Sequence, residues 1–164
     1  MKKEINKEKI NIRKIRIFVL CLIAVYLIAF LGSLFTTNSV NSSWYEQNKP
    51  SLTPPNFIFP IVWNILFFLI AISLYLTWIS SKTKKQKASI FAFFGINLLL
   101  NAFWSYLFFK LQNPKAAFIE LIFLWLSILS LIIFTYRINK KASLLLWPYF
   151  LWVSFASILN FLWI

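Results

Sequence analysis

The side chains that most often perform chemistry in proteins are almost missing from this sequence. It contains no His, a single Cys (Cys21) and a single Met, which is Met1. Zinc sites, thiol–imidazole or Ser–His catalysis, CxxC redox pairs and His- or Met-ligated haem are therefore excluded, and no metal site is expected. Aromatic residues make up 20% of the chain. The groups left for recognition are therefore amides and aromatic rings.

Amides and aromatic rings recur at helical spacing in three segments. Asn97, Asn101, Trp104 and Phe108 follow i, i+4, i+7 and i+11, which places them on one helix face. Similar stripes in two other segments contain Trp63, Phe67, Ile70 and Leu74, and Pro148, Trp152, Ala156 and Asn160. Each face is either a packing interface between helices or the wall of a ligand site, and the pattern leaves both interpretations open.

Five apolar segments of 19–23 residues must position these stripes. A helix needs about 20 residues to cross roughly 30 Å of hydrocarbon, and only 13% of the chain is charged. The sequence therefore predicts an all-α membrane protein, a bundle of five transmembrane helices in the lipid bilayer. We expect a basic tail at 1–16 and a single membrane domain at 17–164. The predicted helices are 17–35, 57–79, 88–109, 116–136 and 142–164.

Lys and Arg residues are divided unevenly between the two ends of the predicted helices. Fourteen of the 17 fall in the tail and in the second and fourth loops, whereas Lys49, Lys110 and Lys115 lie in the alternate loops. Because positive residues collect on the cytoplasmic side, we expect a multi-pass protein of the cell membrane with a cytoplasmic N-terminus and an external C-terminus. The net charge of +13 is then an orientation signal, and no nucleic-acid partner is expected. The first apolar run exceeds the ~7–15 residues of a signal peptide, so we interpret it as a retained helix.

In this orientation the three stripes reach a common depth. At ~1.5 Å per residue, Trp63, Asn101, Trp104 and Trp152 lie about 8–18 Å below the outer ends of their helices. The long first loop, residues 36–56, lies above them, so an aromatic pocket with amide groups and a lid is one interpretation. The Trp-Tyr pair of that loop is equally typical of an interfacial aromatic belt.

Four residues carry local expectations. Thr53 and Asn113 each precede a Pro and are predicted to cap helices that begin there. Pro148 lies within the fifth predicted helix and is expected to kink it. Glu120 is the only acid within a predicted span. It either reaches the outer headgroups or makes a polar contact inside the bundle.

Three sequence motifs stand in a fixed order along the last four spans. They are KPSLTPP at 49–55 followed by Val62-Trp63, NAFWSYLFF at 101–109, and PYFLWVSFASILN at 148–160. In order and spacing over residues 44–163 the chain resembles the TspO/MBR family. The tail and the first span add nothing to this resemblance.

The resemblance implies a compact five-helix bundle, commonly a homodimer. It also implies a cavity beneath the first loop that binds porphyrins such as protoporphyrin IX and synthetic benzodiazepine-site ligands, with no cofactor required. The residues that match cavity-lining positions of the family are Tyr45, Pro54, Trp63, Phe67, Asn101, Trp104, Trp152 and Ala156.

Several positions depart from the family pattern. Leu52 and Phe57 replace aromatic residues of the loop and Pro60 is displaced, which implies a reshaped lid and an altered helix start. No Tyr followed by Arg comes after Leu159, so the weak sterol-recognition pattern is absent and sterol binding is not expected.

Three classes of function remain. The first is a membrane ligand-binding protein with a sensory, regulatory or transport role in tetrapyrrole metabolism. In it Trp63 and Trp152 stack on the ligand, Asn101 provides hydrogen bonds and Lys49 meets a carboxylate. The second, implied by the resemblance, is an enzyme that degrades porphyrin in light through radicals on the same two tryptophans. The third is a structural or assembly role without a small molecule. We favour ligand binding and leave enzymatic activity open.

Overall fold

The computed structural model describes the backbone of residues 2–37 and 39–164, and side chains from residue 11 onward except at position 38. The described backbone is helical with short connections and contains no strand. Its elements are α1 (Lys2–Thr36), α2 (Ser43–Asn48), α3 (Ile58–Ser80), α4 (Lys84–Ser105), a π-helical turn (Tyr106–Lys110), α5 (Pro114–Tyr136), α6 (Lys140–Leu144) and α7 (Trp147–Phe161).

The predicted fold class is confirmed, because five helical stretches in the described chain are long and apolar enough to cross a membrane. These are α1, α3, α4 with the π turn, α5, and α6 together with α7. α1 begins well before the predicted residue 17, so the basic tail is helical from Lys2. Its cations Lys2, Lys3, Lys7 and Lys9 lie outside the described side chains.

Side-chain caps explain where two of the long helices begin. The Asn113 carboxamide oxygen accepts a hydrogen bond from the Ala116 N–H at 3.0 Å, and Pro114 is the first residue of α5, as predicted. α4 begins at Lys84, four residues before the predicted start. Thr83 and Gln86 form a capping box there, which satisfies the free N–H groups of a basic first turn that apolar counting leaves out.

The predicted cap at Thr53 is wrong. α3 begins at Ile58, and its N-cap, Phe57, makes no side-chain hydrogen bond. The two prolines after Thr53 are instead followed by a turn in which the Ile58 N–H bonds to the Pro55 carbonyl at 2.9 Å. Pro54 therefore belongs to the connection above α3 rather than to its first turn.

The predicted kink at Pro148 is also wrong in its position. The helix is interrupted between α6 and α7, at Leu145 and Leu146, and Pro148 lies in the first turn of α7, where its missing N–H costs nothing. Hydrogen bonds hold the separate turn of α6 in place. The Ser143 hydroxyl donates to the Ile132 carbonyl at 2.9 Å, and the Ser73 hydroxyl donates to the Ala142 carbonyl at 2.8 Å.

The bundle core runs between α1, α3, α4, α5 and α7. α1 packs against α3 and α4, and α5 packs against α4 and α7. Fully buried side chains from all five helices meet there: Val25, Ile70, Phe94, Leu124 and Tyr149. α1 and α4 approach closely at Gly32, where an added Cβ would lie 3.6 Å from the Ala102 Cα.

We expect this close approach to tolerate Ala but not Val. Gly32→Ala adds a Cβ at ordinary contact distance, whereas the two further methyl groups of Gly32→Val press on α4 and cost ~1–3 kcal/mol. Thermal unfolding in detergent measures this as a Tm several degrees lower. Gly95→Val is the matched control, because a Cβ at Gly95 meets nothing within 4 Å. Equal Tm values for the two Val variants would contradict the tight contact.

Candidate functional site

A cavity of about 680 Å³ opens between α1, α3, α4 and α7. The connection between α1 and α3, residues 39–57, covers it, and we call this segment the lid. The volume lies in the range of sites that take drug-sized ligands, ~300–1,000 Å³. α5 supplies none of the lining residues and packs behind the cavity, where the Trp125 indole N–H donates to the Ser154 hydroxyl at 2.8 Å.

The wall of the cavity formed by α3 and α7 is aromatic. Trp63 stacks on Phe67 with ring centroids 5.4 Å apart, because residues four apart lie on one helix face. Trp63 also meets the edge of the buried Tyr149, at 6.2 Å. Trp152 is held edge-on by Phe59 at 5.9 Å. Both indoles are therefore fixed by neighbouring rings while they line the cavity.

The second wall centres on Trp104, whose orientation is fixed by hydrogen bonds. Its indole N–H donates to the Asn160 carboxamide oxygen at 2.9 Å, and the Asn160 amide donates to the Pro114 carbonyl at 2.9 Å. Trp104 also stacks on Phe108 at 5.0 Å. Phe108 and its neighbour Phe109 are both buried, because the π turn directs both rings into the same apolar cluster, which contains Tyr45.

The two asparagines of the α4 stripe serve different purposes. Asn97 is fully buried behind the cavity and donates to the Ser127 hydroxyl of α5 at 2.8 Å, so it is a packing residue. Asn101 lines the cavity and donates one N–H to the Tyr149 hydroxyl at 3.2 Å. An amide has two donors and one acceptor oxygen, so Asn101 keeps hydrogen-bonding capacity for a ligand.

The lid packs over the cavity through an aromatic cluster. Tyr45 of α2 is 5% exposed and contacts Phe109 and Trp163, with centroids 5.9 and 5.6 Å away. Trp44 lies 4.9 Å from Trp163 and 5.8 Å from Phe108. Burial, with a smaller effect from Glu46, raises the pKa of Tyr45 to about 12, so its hydroxyl is neutral at physiological pH.

Polar contacts join the two ends of the lid. The Asn56 amide donates to a Glu46 carboxylate oxygen at 2.9 Å and to the Val40 carbonyl at 3.3 Å. Lys49 forms an ion pair of 2.6 Å with the other Glu46 oxygen. The bonds from Lys49 and Asn56 hold the pKa of Glu46 below its usual value, so the ion pair with Lys49 is retained to a lower pH than for an isolated Glu and is lost as the pH falls through that lowered value.

The structure brings most of the predicted site residues together. Seven of the eight line this one cavity: Tyr45, Trp63, Phe67, Asn101, Trp104, Trp152 and Ala156. Pro54 lies in the lid but outside the lining, and its neighbours Thr53 and Asn56 line the cavity instead. Three polar atoms among the lining residues are buried without a hydrogen-bond partner in the described structure: Thr53 Oγ1, Asn56 Oδ1 and Trp152 Nε1.

Sequence reasoning missed one wall of the cavity altogether. α1 contributes small and polar residues, including Ala29, Gly32, Ser33 and Thr36. Their concentration near the end of the apolar half of α1 was the available signal. Asn160 and Trp163 also line the cavity. Asn160 belonged to the recognised stripe of the fifth span, whereas only the packing of the lid reveals Trp163.

Two expectations about charged residues are corrected. Glu120 does not reach the outer headgroups, because it is 5% exposed within the bundle, and neither carboxyl oxygen has a partner in the described structure. Lys49 is bound to Glu46 and does not line the cavity. No charged side chain of the described residues lines the cavity, so a ligand carboxylate would meet hydroxyl and amide groups there.

Comparison with known proteins agrees with this architecture. The sequence profile of the TspO/MBR family matches residues 19–163. The chain is 43% identical to the tryptophan-rich protein TspO of Archaeoglobus fulgidus over 145 residues, which cover 87% of this chain and 92% of that protein. It is 39% identical to the protein of the same name from Chlorobaculum tepidum, covering 91% and 94%. Its identity to the human translocator protein is 28%, covering 80% and 79%.

Five membrane-length helices, four of which line an aromatic cavity, define a multi-pass membrane protein with an internal site of small-molecule size. The family profile and the similarities to the Archaeoglobus fulgidus and Chlorobaculum tepidum proteins cover nearly the whole of this bundle. The chain belongs to the TspO/MBR family.

We expect Asn56→Ala to loosen the lid, because it removes the hydrogen bonds to Glu46 and Val40. Loss of ~1 kcal/mol would speed amide hydrogen exchange at Thr53 and Ile58 about fivefold. Asn48→Ala is the matched control, since it removes one bond, to the Trp44 carbonyl at 2.8 Å, within α2 alone. Unchanged exchange in Asn56→Ala, or equal acceleration in both variants, would show that Asn56 does not hold the lid.

Proposed function

We propose that this protein binds porphyrins or related tetrapyrroles in the cavity beneath the lid. Its role would be sensory, regulatory or transporting within tetrapyrrole metabolism. The observation that carries the proposal is the convergence of seven predicted residues from the lid, α3, α4 and α7 on one cavity of about 680 Å³. The tetrapyrrole itself is proposed from the family resemblance together with the chemistry of the walls.

The polarity of the walls supports a flat, amphipathic ligand. The α3 and α7 walls carry Trp63 and Trp152, whose faces offer stacking area to a macrocycle. The α1 side near the lid carries hydroxyl and amide groups, from Ser33, Thr36 and Asn41. A macrocycle between the indoles would direct its carboxylates toward this polar side, where hydrogen bonds replace the missing positive charge.

The partnerless polar atoms support the same arrangement. A buried donor or acceptor without a partner is costly, by ~1–3 kcal/mol. Trp152 Nε1 and Thr53 Oγ1 belong to lining residues and are unpaired in the described structure. Both atoms are buried from the cavity as well as from solvent, so a ligand would bond to them only after the side chain turns toward the cavity, and such a turn would recover that cost. Recognition would use the macrocycle and its substituents, because the chain has no His for iron ligation.

We expect the double variant Trp63→Ala, Trp152→Ala to bind protoporphyrin IX at least about thirtyfold more weakly. Two aromatic anchors worth ~1 kcal/mol or more each give this factor. The measurement is the absorbance of the porphyrin during titration with protein in detergent. Trp78→Ala, Trp147→Ala is the matched control, because neither of those residues lines the cavity.

Two results would contradict the proposal. One is the absence of saturable binding to the unmodified protein. The other is the same affinity in the cavity double variant as in the control, provided that both retain their helical content and Tm.

We also propose that α1 begins in the cytoplasm and that the lid faces outward, because 14 of 17 Lys and Arg residues lie at the opposite end from the lid. The native Cys21 is buried, so introduced cysteines report on topology. In intact cells, a membrane-impermeant maleimide is expected to label Gln47→Cys, whereas Lys84→Cys reacts only after permeabilisation. Both positions are exposed in the structure. The reverse labelling would contradict this orientation.

A further inference from the structure

A second concave surface lies at the other end of the bundle from the lid. It is a groove of about 550 Å³ between α1 and α3, lined by Asn11, Lys14, Ile15, Phe18, Ile72, Tyr75 and Leu76. On α1, Lys14 and Thr36 are 22 residues apart, or ~33 Å along a helix. The groove is therefore separate from the cavity and shares no lining residue with it.

The groove changes from polar to apolar along the membrane axis. Asn11 and Lys14 lie toward the start of α1, at the end where α3 terminates. Phe18, one turn deeper, meets the edge of Tyr75 at 5.3 Å, and this pair forms a shared surface between the two helices. Ile72 continues the groove toward the bilayer interior. A ligand that fits this gradient has a polar head at Lys14 and an apolar chain along the helices.

Charge at this end favours an anion. No carboxylate among the described side chains pairs with Lys14. The one ion pair among those side chains joins Glu46 to Lys49, in the lid at the other end of the bundle. Other cations lie at the same end: Arg13 and Arg16 of α1, Lys82 before α4, and Lys84, Lys85 and Lys87 in the first turn of α4. Cations near a membrane surface attract acidic headgroups, and Lys14 adds a hydrogen-bond donor at the mouth of an apolar groove.

We propose that this groove binds one acidic phospholipid, with its phosphate at Lys14 and an acyl chain against Phe18, Ile72 and Leu76. Free phosphate would leave the apolar length of the groove uncovered, whereas a zwitterionic lipid would add a positive charge at an already basic end. In the orientation proposed above, this lipid belongs to the cytoplasmic leaflet. The proposal does not depend on what the cavity beneath the lid binds.

Native mass spectrometry of the full chain tests this proposal. The protein is exchanged into micelles containing equal amounts of phosphatidylglycerol and phosphatidylcholine, and the lipid that remains bound after mild activation is identified. The unmodified protein is expected to retain one phosphatidylglycerol in preference to phosphatidylcholine. Lys14→Ala is expected to lower that retention about fivefold, the effect of removing one cation close to a headgroup.

Two further variants separate the groove from general surface charge. Lys84→Ala removes the same charge at the same end but outside the groove, and it is expected to leave phosphatidylglycerol retention unchanged. Ile72→Trp fills the apolar part without changing any charge, and it is expected to lower retention. Circular dichroism and Tm confirm that each variant is folded.

Three outcomes would overturn the proposal. Equal retention of both lipids by the unmodified protein would remove the selectivity, and this result requires no variant. Equal losses in Lys84→Ala and Lys14→Ala would assign the effect to overall positive charge. Displacement of the lipid by millimolar inorganic phosphate, with Ile72→Trp unaffected, would assign it to the headgroup alone.

Discussion

In hydrocarbon, water cannot complete the hydrogen bonds of a buried polar side chain, so an indole or amide between the helices is stabilised by a partner in the protein. The bond from Trp104 to Asn160, continued from Asn160 to the Pro114 carbonyl, meets this need and joins α4, α7 and the start of α5. Asn101 and Tyr149 connect α4 to α7 one turn further in. These directional bonds fix the spacing of the helices, whereas apolar contacts alone would allow them to close on the space between. The cavity can remain open because its walls are held by hydrogen bonds behind the aromatic surface.

The sequence predicted the five spans and the aromatic and amide stripes of α3, α4 and α7 that line the cavity, since charge-free length and helical spacing are local properties. Asn113 was correctly predicted as a cap because an N-cap followed by a proline is also a local pattern. The errors arose where the position of a residue depends on how its helix packs against other parts of the chain. In a membrane both the lipid-facing and the core-facing sides of a helix are apolar, so on α1 only the small and polar residues near its end indicate which side meets the cavity. For Glu120 the sequence left a position at the headgroups and one inside the bundle both open, because its burial depends on how α5 is turned toward its neighbours. Thr53 failed as a cap because the chain continues through a further turn before α3 begins.

The two ends of the molecule form their concave surfaces from different kinds of side chain. At the lid end, aromatic packing and a small polar network close an internal space that no described charged side chain lines. At the opposite end, the open groove between α1 and α3 has Lys14 at its mouth, and no carboxylate among the described side chains pairs with it. α1 lines both surfaces, with Gly32 and its neighbours beside the lid and with Asn11, Lys14 and Phe18 at the groove. A change at one end can therefore be made without touching the lining of the other.

The packing of Trp44 against Trp163 gives the lid an intrinsic optical signal. The two rings are 4.9 Å apart and inclined at 33°, and they belong to the lid and to the segment after α7. Indoles at this separation couple their electronic transitions, and the coupling decays steeply as they move apart. The near-ultraviolet circular dichroism of the unlabelled protein therefore contains a contribution from the closed lid, which disappears when the loop lifts away.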